Sequence, residues 1–134
     1  LKKITKHLNL SNKIFFVGHV KNVSEYIKNS LCVIVSSLWE DPGFVMIESS
    51  SLKKTVICSD CPNGPREFYK NGKNGFLFKN NNLHSLVNTF EKFMKTKKKV
   101  INKKIKINYI NSKKYSIKNH SKLFNKFLKS NETV

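Results

Sequence analysis

The stretch LCVIVSSLWEDPGFVMIES, residues 31–49, decides the fold. It opens on a continuous apolar run, LCVIV, rich in β-branched residues. A strand half open to water would alternate apolar with polar, so this one reads as covered on both faces, as in a parallel sheet. Loop residues SSLWEDPG follow, and FVMIESSSLKK at 44–54 has helical spacing. TVIC at 55–58 then supplies the next strand, which completes a strand–helix–strand unit.

Working outward, IFFV at 14–17 is an apolar run that stops at Gly18 and reads as an earlier strand. VSEYIKNS forms a short amphipathic helix, REFYKN a helical turn, and GFLF at 75–78 a fourth strand. Leu83, Leu86, Val87, Phe90, Phe93 and Met94 mark one face of a longer helix. The expected class is α/β, a Rossmann-like parallel sheet flanked by helices with right-handed connections. Composition changes near residue 94. Residues 1–94 read as the α/β domain and 95–134 as a basic segment whose Ile and Val positions fit neither period, ending in a helix over 116–129. The first ten residues resemble the tail of a helix already under way, and with no initial methionine the chain reads as a fragment.

The 134 residues include 39% hydrophobic side chains and 10 Phe, enough for one buried core. Formal net charge is +18, a field suited to nucleic acid, an anionic membrane or a phosphorylated substrate. Arg66 is the sole arginine, however, and asparagine accompanies the lysines throughout. Specific nucleic-acid readers rely on arginine forks and exposed aromatics, so nucleic acid is the disfavoured partner. The lysines read either as a solvated surface or as a resting face for an anionic membrane, Lys95–Lys106 above all.

Cys32, Cys58 and Cys61 are an odd set with no signal-like segment before them, which points to a reducing cytoplasm. Cys58 and Cys61 form a C-x-x-C, but a structural zinc calls for a second ligand pair. Cys58 instead reads as the end of a buried strand. His7, His84 and His120 show no metal-ligand spacing, and His19 is a loop histidine without a partner in view. No metal is expected.

The loop at 36–43 is where an open parallel sheet binds its ligands, beyond the carboxyl end of a strand. Pro42 suits the first helical position, and Gly43 lets a ligand approach the backbone. Free amides of Gly43, Phe44 and Val45 would face an anion or a hydroxyl. Glu40 and Glu48 flank these donors, and a carboxylate can accept from both hydroxyls of a vicinal diol. Amides for phosphate and carboxylates for diols describe a nucleotide-sugar site. A plainer reading also fits: Glu40 as a solvated loop residue and Glu48 as an acid favoured by the helix dipole. Trp39 beside Glu40 either shapes a sugar pocket or covers the loop.

Four segments, IFFVGHV (14–20), LCVIVSSLWEDPGFVMIES (31–49), TVICSDCPNGPREF (55–68) and NGKNGFLF (71–78), resemble in order and spacing the C-terminal half of retaining glycosyltransferases of family 4. They span about half the chain. The resemblance implies the two-domain GT-B fold, this chain being part of its C-terminal domain. It implies that Glu48 holds the ribose hydroxyls, that Glu40 faces the transferred sugar, and that the backbone at Gly43, Phe44 and Val45 contacts sugar and diphosphate. Gly18 and Val20 would lie near the base, and Glu67 would order its loop.

The implied reaction moves a sugar from a nucleotide diphosphate, by default uridine diphosphate, to a glycan or lipid-linked acceptor, with retention and no obligatory metal or other cofactor. Three departures stand out: Ser49 replaces alanine, DPGF replaces a Gly-Phe-Gly order, and the basic pair that meets the diphosphate has no counterpart here. These residues alone are therefore expected to be inactive. The rival reading is a non-catalytic basic α/β module that binds RNA or anionic membrane, whose affinity would fall steeply with salt.

Overall fold

A computed structural model describes residues 1–131. In chain order it contains α1 (Lys2–His7), α2 (Val23–Asn29), β1 (Val33–Val35), α3 (Phe44–Ser51), β2 (Val56–Asp60), α4 (Pro65–Phe68), β3 (Phe76–Lys79), α5 (Leu83–Lys95) and α6 (Lys98–Ser112). A 3-10 turn at Lys113–Tyr115 leads into α7 (Ile117–Asn131). The strands form one parallel sheet in the order β1-β2-β3, with Val35 opposite Cys58 and Cys58 opposite Leu77. This is the α/β class that the apolar runs and helical spacing imply.

Strand alternation sorts the core into two layers. Val33, Val35, Val56, Cys58 and Leu77 point to one face, where Met46 and Ile47 of α3 and Phe68 and Tyr69 cover them. Ile57, Phe76 and Phe78 point to the other, against Leu86, Phe90 and Phe93 of α5 and Ile101 of α6. Phe76 and Phe93 meet edge to face at 5.4 Å, a preferred aromatic geometry. Each large side chain buried this way contributes roughly 1.5–3 kcal/mol. α5 begins with a side-chain cap, the Asn82 carboxamide oxygen accepting from the Ser85 amide at 2.8 Å.

Three local expectations change. Residues 14–18 form no strand, and Ile14, Phe15, Phe16 and Val17 are all exposed. A strand is held by backbone pairing to a neighbour, and β1 pairs only with β2 among the described residues. The segment leaves α1 through a turn in which the Leu10 carbonyl accepts from the Lys13 and Ile14 amides. The LCVIV strand is also not covered on both faces, since Ile34 remains 47% exposed. α5 packs over β2 and β3, leaving the edge strand β1 uncovered on that side.

The third change is in the basic segment, which is helical over 98–112 and packs on α3. Its inward face is mixed, with Asn108 and Ser112 the buried side chains, which is why no clean apolar period marks it. Asn108 donates to the Asn74 carbonyl at 2.8 Å. Lys104 donates to the carbonyls of Lys73 and Gly75, its ammonium 5.5 Å from the Phe76 ring centroid.

Ser49 on α3 is fully buried and its hydroxyl meets no partner among the described residues. Since an unsatisfied buried hydroxyl is destabilising, Ser49→Ala is expected to raise unfolding stability by ~1 kcal/mol in urea denaturation. A lower midpoint would show that the hydroxyl is satisfied in solution.

Candidate functional site

All three strands end on the same side of the sheet, so the loops that follow Val35, Asp60 and Lys79 meet there. The loop after β1 is tied by both others. Ser59 Oγ, at the end of β2, donates to the Ser37 carbonyl at 2.5 Å. Asn80, just past β3, donates through Nδ2 to the Leu38 carbonyl at 2.9 Å. The Glu40 amide faces the Pro62 carbonyl at 3.5 Å. Backbone groups of the loop are thus held from behind while its side chains are left to face outward.

The loop turns into α3 at Gly43, whose φ of 87° and ψ of 65° are left-handed. Glycine accepts this conformation without the Cβ penalty other residues carry. The position is also tight: a Cβ there would lie 3.2 Å from Met46 Cε and 3.4 Å from Glu40 Oε2. The Gly43 carbonyl accepts from the Met46 and Ile47 amides, which makes Gly43 the N-cap. Pro42 therefore stands one residue before the cap and not at the first helical position, and the Asp41–Pro42 peptide is cis.

No side chain among the described residues caps α3, so the Phe44 and Val45 amides have neither an intrahelical nor a side-chain acceptor there. These donors lie at the positive end of the helix dipole, a local arrangement suited to an anionic oxygen. Glu48 follows Phe44 by one turn on the same face, and Phe44, Val45 and Glu48 are exposed while Met46, Ile47, Ser49 and Ser50 are buried. Glu40 is half-buried beside Gly43. The fold therefore brings together Glu40, Gly43, Phe44, Val45 and Glu48 on one loop and helix start. No described hydrogen bond or ring contact links Gly18 or Val20 to that cluster; at Gly18, with φ of 65°, an added Cβ would meet nothing within 4 Å among the described residues.

Apolar side chains rim the cluster: Leu38, Trp39, Phe44 and Val45 are all substantially exposed. Arg66 does not serve as a free cation here. Its guanidinium binds Asp60 in a fork, Nε to Oδ1 at 2.6 Å and Nη2 to Oδ2 at 3.0 Å. Ser59 and Gly64 lie within the TVICSDCPNGPREF segment and Asn80 just past NGKNGFLF, but the sequence shows no role for them in holding the loop. Their one local signal is the Asn63-Gly64 pair, where both residues take positive φ.

Cys58 lies beneath the site in the core. Burial pushes its thiol up to about 12, helped by the negative potential of Cys61, Glu40 and Asp60. Both Cys58 and Cys61 are fully buried, so Cys58 is a neutral core group and no nucleophile.

Residues 1–113 match the family model described as "Glycosyl transferases group 1". The chain belongs to that family. It is 42% identical over 67 residues to an uncharacterized glycosyltransferase of Methanocaldococcus jannaschii, covering 50% of this chain and 16% of that protein. Over 86 residues it is 28% identical to a poly(ribitol-phosphate) alpha-N-acetylglucosaminyltransferase of Staphylococcus aureus, covering 64% of this chain and 17% of the relative. A Campylobacter jejuni relative, N-acetylgalactosamine-N,N'-diacetylbacillosaminyl-diphospho-undecaprenol 4-alpha-N-acetylgalactosaminyltransferase, is 29% identical over 86 residues, 64% of this chain and 24% of its own length.

The crystal structure of a glycosyltransferase from Rickettsia africae superposes with a TM-score of 0.71 at 23% identity, over 83% of this chain and 30% of that one. That likeness supports the α/β fold. The chain spans a quarter or less of the length of these curated relatives.

The Cys58 shift has a pH signature. Its folded pKa lies above the unfolded value of 9.0, so the stability it contributes is complete below about pH 9 and is lost as pH rises toward 12. Cys58→Ala is expected to be less stable than wild type near neutrality yet to lose less between about pH 8 and pH 10.5, read from urea midpoints. Parallel losses in both proteins would place the thiol in contact with solvent.

Proposed function

We propose that this chain is the donor-binding part of a retaining glycosyltransferase of family 4, which transfers a sugar from a nucleotide diphosphate to an acceptor hydroxyl. The observation that carries the reading is the unsatisfied Phe44 and Val45 amides at the start of α3, flanked by Glu40 and Glu48 at the carboxyl ends of a parallel sheet. Family membership supports the reaction class. As the bond to the leaving diphosphate breaks, negative charge grows on its oxygens; preorganised amides at a helix start stabilise that charge without reorganising. Glu48 accepts from the ribose hydroxyls, and Glu40 orients the transferred sugar.

Neither carboxylate is assigned as a nucleophile. The uncapped amides supply part of the charge stabilisation, and cations outside these residues supply the rest, so the 134-residue chain by itself is expected to be inactive. The acceptor class we favour carries phosphate. Two relatives are named for poly(ribitol-phosphate) and for a diphospho-undecaprenol-linked glycan, and a formal charge of +18 would attract such an acceptor.

The test is a calorimetric titration of the full-length polypeptide with UDP and GDP at constant salt. Wild type is expected to bind one of them, and Glu48→Ala to weaken that binding about tenfold, the loss of a charge-assisted hydrogen bond. Raising the salt is expected to do less than this substitution. Failure of wild type to bind either nucleotide, or binding that ignores Glu48 and collapses with salt, would overturn the assignment in favour of a basic anion-binding module.

A further inference from the structure

We propose that residues 59–64, behind the site, position the donor-binding turn, and that Gly64 is the point on which the turn rests. The inference builds on the donor-site reading above. Gly64 has φ of 63° and ψ of −72°, and a Cβ there would lie 2.2 Å from the Pro42 carbonyl oxygen and 2.9 Å from its carbon. The obstacle is backbone, so no side-chain rotation relieves it. The same Cβ would lie 3.3 Å from Met46 Cε, the methyl that also closes on Gly43. Gly43, Gly64 and the buried Met46 thus form one packed contact under the turn.

The consequence for the site follows from peptide planarity. The Pro42 carbonyl and the Gly43 N–H are opposite ends of a single rigid unit, and in a trans peptide they point in opposite directions. With its oxygen against Gly64, this unit aims the Gly43 amide away from the 61–64 loop. Moving the carbonyl to an ordinary contact of at least 3.4 Å requires a displacement of more than ~1 Å, which the planar peptide transmits to Gly43 and to the first amides of α3. Ser59 acts in the same direction, fixing the Ser37 carbonyl from the end of β2.

Two other glycines separate positioning from general strain. Gly72 has φ of 82° with nothing within 4 Å of an added Cβ, so Gly72→Ala imposes backbone strain alone. Gly75→Ala would drive a methyl to 2.4 Å from Tyr69 Cδ1, a clash in the core. In the full-length polypeptide titrated with UDP and GDP, Gly64→Ala is expected to lose at least about tenfold in affinity, the worth of a hydrogen bond to a charged oxygen. Gly72→Ala and Gly75→Ala are expected to lower the melting temperature while keeping wild-type affinity.

Wild-type affinity in Gly64→Ala, or an equal affinity loss in Gly72→Ala, overturns the proposal. Glu48→Ala run in parallel separates the two levels. If Glu48→Ala weakens binding and Gly64→Ala does not, only the positioning role falls; if Glu48→Ala binds like wild type, the donor site itself falls. Should Gly64→Ala fail to fold, Ser59→Ala decides the matter, because it releases the Ser37 carbonyl without adding atoms. It is expected to weaken binding about fivefold at a near-native melting temperature, the worth of one neutral hydrogen bond, and unchanged affinity would overturn the proposal.

Discussion

Strand β2 is the constraint on which the rest depends. Val56, Ile57, Cys58 and Ser59 are at most 2% exposed, because α3 and its neighbours cover one face of the sheet and α5 covers the other. A strand buried on both sides cannot slip by one residue without turning its whole pattern over. The pairing of Val35 with Cys58 is thereby fixed, and it brings Ser59 beside the start of the loop that carries Glu40. A buried hydroxyl needs an acceptor, and Ser59 finds the Ser37 carbonyl. The geometry of the candidate site is in this sense a consequence of sheet register.

Much of the sheet was legible because its signals are local. Continuous apolar runs marked β1, β2 and β3 to within two residues at each start, and the wide apolar stripe of α5 marked that helix. Misreadings arose where local pattern and tertiary environment part. IFFV has the composition of a strand but pairs with none of the three described strands. Ile34 has the pattern of a doubly covered strand but lies on the face of the edge strand that α5 leaves uncovered. α6 is the converse case, a helix whose inward face mixes Ile101 with Lys104 and Asn108, which hydrogen-bond the 73–75 turn. Such a helix leaves no hydrophobic period to read.

The candidate site divides along the same line. Glu40, Gly43, Phe44, Val45 and Glu48 lie within one short stretch, so residue chemistry makes the cluster visible as one of two readings and the family resemblance favours it. The residues that aim it were invisible, because Ser59 and Asn80 reach back 22 and 42 residues to their acceptors. Gly64 was hidden for a different reason. Its contribution is the absence of a side chain, and only the position of the Pro42 carbonyl gives that absence meaning.

The distribution of charge bears on what each group does. Only 8 acidic residues face 26 basic ones, yet Glu40, Asp41 and Glu48 fall within one nine-residue stretch at the site, and Asp60 close by is neutralised by Arg66. Carboxylates are poor company for a diphosphate, so their presence beside the α3 amides needs a separate purpose. Neutral hydroxyls supply one, because an ionised carboxylate is a strong acceptor for a diol's O–H groups and repels a phosphate. On the donor-site reading proposed above, the division of labour follows from chemistry: the α3 amides are suited to anionic oxygens, and the two glutamates at either end of the turn to the hydroxyls of a sugar. A simple anion-binding surface would have no use for the second half of that arrangement.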